Sequence, residues 1–307
     1  MKAFRIHDYE VDPVIENVAM PQPGLGEVLV RVVAASLNPL DVKLQRGNME
    51  AFFPLAFPYT LGTDLSGTVE VLGGEVTDWS VGDRIAARTT PTSGGALAEF
   101  ALVPADQLVR VPDVITFEQA AGIPTAAGTA WQALFEVAHL REGQTVLVHA
   151  GAGGVGSFAI QFARQAGARV IATASGDGIA IAERLGADIV IDYRNEDFVQ
   201  RVQDVDVVLD TVGGETQARS YEVLRTGGFL ASTVAPPDEA LAKAHGVGAA
   251  FVFHSSNADR LATAVEKVAG GVEVLTDRLL AGEDALQAFE YQSTGRARGK
   301  IILKNVS

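Results

Sequence analysis

Residues 145–156 read Thr145-Val-Leu-Val-His-Ala-Gly-Ala-Gly-Gly-Val-Gly156. A β-branched run enters a turn in which Gly151, Gly153 and Gly156 stand at the spacing G-x-G-x-x-G. That pattern opens a dinucleotide-binding βαβ unit: one glycine for the turn, one for close approach of a pyrophosphate, one for helix–strand packing. The candidate phosphate contacts are Gly151, Gly153, Gly154, Val155 and Gly156, at a helix start whose free N–H groups and dipole favour negative charge. A plain glycine-rich turn is the competing reading, and the flanking sequence decides against it.

On the right-hand side, Val155, Phe158, Ala159, Phe162, Ala163 and Ala166 recur at three- and four-residue steps and give one apolar helix face. Gly167 follows where a left-handed residue ends a helix. Strands are expected at Arg169–Ala174, Asp188–Ile191, Val205–Leu209 and Gly228–Thr233, with helices at 179–185 and 215–224 between them and a sixth strand ending at Phe251–Phe253. Strands alternating with helices of about ten residues predict a doubly wound parallel sheet, an α/β fold.

The chain before the glycine motif is different. Turn clusters at residues 21–26, 73–74 and 82–83 separate short strands at 28–33, 66–72 and 84–88, as in an antiparallel, barrel-like β domain. A late strand, Lys300–Leu303, is expected to return to that domain. Composition narrows the function classes. With 24 basic and 38 acidic residues the net charge is −14, which argues against nucleic-acid or anionic-membrane partners. No cysteine is present, so disulfides, thiol catalysis and cysteine-ligated zinc are excluded. No apolar run reaches membrane-span length and the first strand begins near Met1, so a cytoplasmic protein without a signal peptide is expected.

Several stretches resemble the medium-chain dehydrogenase/reductase superfamily in its zinc-free quinone oxidoreductase branch. They are Pro23-x-x-Gly26-Glu27-Val28-Leu29-Val30, Leu37-Asn38-Pro39-Leu40-Asp41-Val42-Lys43, Leu61-Gly62-Thr63-Asp64-Leu65-Ser66-Gly67, residues 94–100, Thr129-Ala130-Trp131-Gln132, the glycine motif, and Gly299-Lys300-Ile301-Ile302-Leu303. The resemblance implies a Rossmann domain over 115–262 inserted into a GroES-like substrate domain built from 1–114 and 263–307. It also implies a homodimer. Zinc enzymes of the superfamily carry a cysteine and a Gly-His-Glu motif; here stand Ser36-Leu37-Asn38 and Gly62-Thr63-Asp64, which cannot supply three metal ligands. His139, His149, His245 and His254 have no ligand spacing and are read as structural. An already activated acceptor is therefore expected: a quinone, or a double bond conjugated to a carbonyl. Met49 replaces the tyrosine of the enoyl-thioester reductases, while residues 38–43 with Arg46-Gly47 are similar to the alkenal/enone reductases.

The strand after the glycines ends in Thr173-Ala174-Ser175 without the acidic residue that holds a ribose 2′-hydroxyl. Thr173 and Ser175 offer hydroxyls to a 2′-phosphate, and Tyr193 matches the family position that contacts it, so NADPH is expected ahead of NADH. Asp177 opposes that expectation and Arg194 favours it.

Three catalytic candidates follow. Asn38 is a helix N-cap before Pro39 and, by resemblance, a residue beside the nicotinamide. Lys43, one turn on, is either a solvated charge or, turned inward, a partner for an enone oxygen. Tyr59 is either a turn aromatic or a proton donor. By resemblance Thr129 lies near the nicotinamide carboxamide, and Phe253 is either its pocket edge or a buried sheet residue. The implied activity is NADPH-dependent, metal-free reduction of quinones or enones. An NADPH-binding structural or regulatory protein of the crystallin kind and an enoyl-thioester reductase are the alternatives.

Overall fold

A computed structural model describes residues 1–304 and divides them into two units. One comprises residues 126–255; the other joins residues 1–125 to those from Ser256 onward.

In the first unit six parallel strands run in the spatial order Ile189–Asp192, Arg169–Ala174, Thr145–Val148, Val205–Asp210, Leu224–Ser232, Gly248–Phe251. The first strand in sequence lies at the middle, so the order reverses there. That switch point is where an open α/β sheet binds its ligand, beyond the carboxyl ends of the strands. The helix Gly154–Gln165 leaves this point and buries Phe158, Ala159, Phe162 and Ala163, the stripe that the periodicity predicts. Gly167, at φ +76°, and Gly186, at φ +108°, terminate their helices in the left-handed region. The fifth strand starts at Leu224, earlier than expected, after a short helix Gly214–Ser220 and a 3₁₀ turn Tyr221–Val223. The sixth ends at Phe251, which leaves Phe253 outside the sheet.

The second unit is built on the strand Glu27–Leu37. It pairs antiparallel with Asp64–Leu72, with Phe100–Pro104 and with Lys300–Lys304. The late strand thus returns to the β domain. Thr276–Ala281 lies parallel to it, which requires a crossover, and the helix Ala285–Ser293 supplies one. A smaller sheet of Val14–Asn17, Lys2–Ile6 and Tyr59–Thr60 closes over the core formed by Ile6, Val30, Leu65, Ile85 and Ile301. The helix Phe117–Ala121 packs on Glu27–Leu37 and Asp64–Leu72, so the chain stays with this unit through Thr125. The unit boundaries fall at 125/126 and 255/256, whereas the sequence places them at 114/115 and 262/263. No helix among the described residues is long and apolar enough to cross a membrane.

Candidate functional site

The glycine loop is shaped by close contacts. A Cβ on Gly156 would come within 2.3 Å of the Ala150 carbonyl, and one on Gly151 within 2.8 Å of the Ala172 methyl and 2.9 Å of Ile160 Cδ1. Both positions therefore need the absence of a side chain more than a special backbone. The left-handed residue of the turn is Ala150, at φ +51°. Gly153 caps the following helix with no side chain folded over its first-turn N–H groups. Such an end is open to an anion such as a pyrophosphate.

Ala150 is held from beneath. Its N–H donates to Thr173 Oγ1 at 3.1 Å. Ser220 Oγ donates to the Thr216 carbonyl at 2.6 Å and so accepts from His149 Nε2, 2.9 Å away. The remaining imidazole nitrogen, Nδ1, then accepts from the Thr173 hydroxyl at 3.2 Å. Burial pushes the His149 imidazole down to about 4, so it is neutral at pH 7 and keeps this single tautomer. Thr173 is buried with both functions of its hydroxyl engaged inside the fold. Its part is to support the loop rather than to reach a 2′-phosphate, since its hydroxyl is already taken up by His149 and Ala150.

Ser175 lies one step past the strand and donates to Tyr193 Oη at 2.9 Å. The parallel pairing of Ala174 with Asp192 brings the two together, and Tyr193 is 56% exposed. Arg194 is exposed beside them, and Asp177 opens the next helix. On the other side of the switch point, Asp210 accepts from the N–H groups of Val212 at 2.9 Å and Gly213 at 2.8 Å, from Gln217 Nε2 at 3.0 Å and from Ser232 Oγ at 2.9 Å. It fixes the turn that leaves the fourth strand, a role with no local signature in sequence. Thr129 is buried in the helix Pro124–Trp131. Phe253 is 48% exposed, with its carbonyl accepting from Gln132 Nε2 at 3.3 Å, so it is not a buried sheet residue.

In the other unit Asn38 caps the helix Pro39–Gln45, but its carboxamide does not serve the cap. Its backbone N–H donates to Asp41 Oδ2 at 2.7 Å. Its side-chain Nδ2 donates to Asp64 Oδ2 at 3.0 Å, and its Oδ1 accepts from Lys300 Nζ at 2.5 Å. Asp64 also accepts from the Thr125 hydroxyl at 2.6 Å and the Thr125 N–H at 3.1 Å. Thr63 donates to Asp41 Oδ1 at 3.2 Å. Burial pushes the Asp41 carboxyl up to about 7 against the opposing pull of the Asn38 N–H. Burial likewise lowers the Lys300 ammonium and the Arg88 guanidinium, while the charges of Asp64 and Asp41 raise both.

Two candidates are reassigned. Lys43 is exposed. Two residues along a helix is about 200° of rotation, so with Asp41 facing inward Lys43 faces out. The cation at Asn38 is Lys300, which sequence reading placed only in a strand. Tyr59 is buried, and its hydroxyl donates to the Pro91 carbonyl at 2.7 Å. Burial, reinforced by the charge of Asp41, raises it above the ordinary phenol range, so its proton is committed to fixing the 90–94 loop.

The donor set does not suit zinc. Among the described residues no three His, Cys, Asp or Glu side chains converge to hold a metal, and an ammonium already lies between Asn38 and Asp64.

Comparisons with known proteins define the class. Residues 24–113 match the family described as "Alcohol dehydrogenase GroES-like domain" and residues 185–303 that described as "Zinc-binding dehydrogenase". The 2-methylene-furan-3-one reductase of Solanum lycopersicum is 34% identical over 99% of this chain and 79% of its own. The NADPH-dependent alkenal/one oxidoreductase, chloroplastic, of Arabidopsis thaliana shows the same identity and coverage. The quinone oxidoreductase from Coxiella burnetii superposes with a TM-score of 0.92 at 31% identity, covering 99% of both chains. This chain belongs to the medium-chain dehydrogenase/reductase superfamily. Within it, the chain falls in the zinc-free quinone oxidoreductase branch, with a GroES-like domain and a Rossmann domain.

Proposed function

We propose that this chain catalyses NADPH-dependent, metal-free reduction of quinones or α,β-unsaturated carbonyls. The observation that carries the reading is the lysine-bridged Asn38–Asp64 pair standing in place of a metal site, in a chain whose other unit holds a dinucleotide cradle. The chemistry NADPH supplies when bound is transfer of a hydride to the acceptor. The N–H groups of Gly154, Val155 and Gly156 hold the pyrophosphate, and the Ser175 and Tyr193 hydroxyls bind the 2′-phosphate, with Arg194 adding charge. Thr129 and Phe253 are assigned to the nicotinamide end. The Asn38 carboxamide orients the acceptor oxygen, and solvent delivers the final proton, because the Tyr59 hydroxyl already donates to the Pro91 carbonyl.

The test is NADPH oxidation with a panel of quinones, 2-alkenals and enones, with and without a chelator. Turnover unaffected by the chelator, with NADPH preferred to NADH, is expected. Tight NADPH binding with no turnover on any acceptor would instead favour the structural or regulatory reading, and preference for crotonyl thioesters the thioester reductase. Loss of NADPH preference in Ser175→Ala/Tyr193→Phe checks the phosphate assignment.

Residence in the cytoplasm and assembly as a homodimer belong to the same proposal. For the dimer, support comes from the strand Gly248–Phe251, which ends its sheet with an edge unpaired among the described residues and with Phe251 partly exposed. Sedimentation and cell fractionation test the two.

A further inference from the structure

Lys300 is the least expected residue of the Asn38 cluster. It opens a strand whose next three residues are apolar and buried, yet only 3% of it is exposed. Its ammonium lies 2.5 Å from Asn38 Oδ1, 3.1 Å from the Leu37 carbonyl and 3.8 Å from Asp64 Oδ2. It grips residues 37 and 38 by backbone and side chain together. An ammonium whose protons are directed at fixed acceptors serves orientation rather than proton transfer.

The orientation is specific. A carboxamide has two rotamers that exchange its oxygen and nitrogen. Here the oxygen faces a cation and the nitrogen faces a carboxylate 3.0 Å away. The flipped rotamer would set N–H groups against the ammonium and a lone pair against the carboxylate, two repulsions in a desolvated site. Asn38 Oδ1 is thus committed to Lys300, and one Nδ2 hydrogen to Asp64. The second Nδ2 hydrogen has no acceptor among the described residues. Asn38 can offer an acceptor molecule a donor hydrogen and nothing else.

We infer that Lys300 is a positioning residue that locks Asn38 as a hydrogen-bond donor to the oxygen on which negative charge develops during reduction. The inference rests on the reductase reading above. Preorganised donors of this kind act on the transition state more than on the ground state.

The test is steady-state kinetics of full-length Lys300→Met with the best acceptor of the panel. Removing the lock is expected to lower kcat and kcat/KM together by about 10- to 100-fold, with NADPH affinity unchanged. In an Asn38→Ala background the same substitution is expected to cost nothing further. Lys300→Gln, which keeps an N–H for Asn38 Oδ1, is expected to recover part of the rate. Because loss of the ammonium leaves Asp64 buried with less compensation, Lys300→Met/Asp64→Asn removes both charges and keeps the fold testable; it is expected to be as slow as Lys300→Met. A folded variant that retains the wild-type kcat overturns the inference, as does an equal loss of rate with and without Asn38. A wild-type protein idle on every acceptor removes the reductase reading and this inference with it.

Discussion

The two units build their sites by opposite means. Around Gly151–Gly156 the candidate site is backbone: twelve consecutive residues supply the strand end, the turn and the helix start, and side chains matter mainly by their absence. Around Asn38 the backbone is a frame, and the work falls to side chains brought from the helix Pro39–Gln45, the strand Asp64–Leu72, Thr125 and the strand Lys300–Lys304. A backbone site tolerates exchange of its surroundings but not added volume. A side-chain site tolerates changes of volume better than loss of one charge.

The largest expected effect breaks the charge balance. Asp64→Ala leaves the Lys300 ammonium and Arg88 buried beside Asp41 alone, a carboxyl that burial keeps protonated up to about pH 7, and stability should fall by about 3–5 kcal/mol, read as the urea midpoint. A loss within that of an ordinary surface substitution would mean that the cluster carries little net charge. Next comes pH, where the two units should answer with opposite sign. His149, lowered to about 4, is neutral in the fold, so its contribution is present above pH 6.5 and lost as pH falls from there toward 4, by about 3 kcal/mol. Asp41, raised to about 7, is protonated in the fold, so its contribution is present below pH 3.8 and lost as pH rises through 7. Stability–pH curves of His149→Gln and Asp41→Asn, each subtracted from wild type, should slope in contrary directions; slopes of one sign would dissolve the contrast. Third, Gly156→Ala drives a methyl into the Ala150 carbonyl. NADPH affinity should fall about tenfold or more in fluorescence titration while the Asn38 unit keeps its stability. The smallest effect is Lys43→Ala, expected to change stability by less than about 0.5 kcal/mol and leave kcat unaltered.

Legibility in sequence follows the same division. The glycine loop, the stripe on its helix, Gly167 and Gly186 at the helix ends and the return of the last strand are local patterns, and local patterns survive translation into one dimension. Even there the turn-making residue was misplaced, because Ala150 carries the left-handed backbone through its bond to Thr173, a partner 23 residues away. The Asn38 cluster was half legible. Asn38 itself stands before Pro39 in a recognisable frame. Its bond to Lys300 spans 262 residues, and no pattern of spacing expresses that. Lys43 looked suitable from its place in the chain and failed on helix rotation; Tyr59 looked suitable from its chemistry and failed because its hydroxyl points to the Pro91 carbonyl. In both, what decided was which way a side chain points, information that only the packed fold holds.

The strand Lys300–Lys304 also sets an order of events during synthesis. A ribosome releases residues 126–255 entire before it has made the cation for Asp64, and domains fold largely as they emerge. The nucleotide unit can therefore assemble on the nascent chain before the second segment of the other unit is made. Meanwhile Asp41 on its helix and Asp64 in an unfinished sheet wait for the strand Lys300–Lys304. The segment from Ser256 to Lys304 thus acts as a latch on a unit begun far upstream, and a chain shortened before Lys300 should retain its glycine-loop cradle while its other half stays open to proteases.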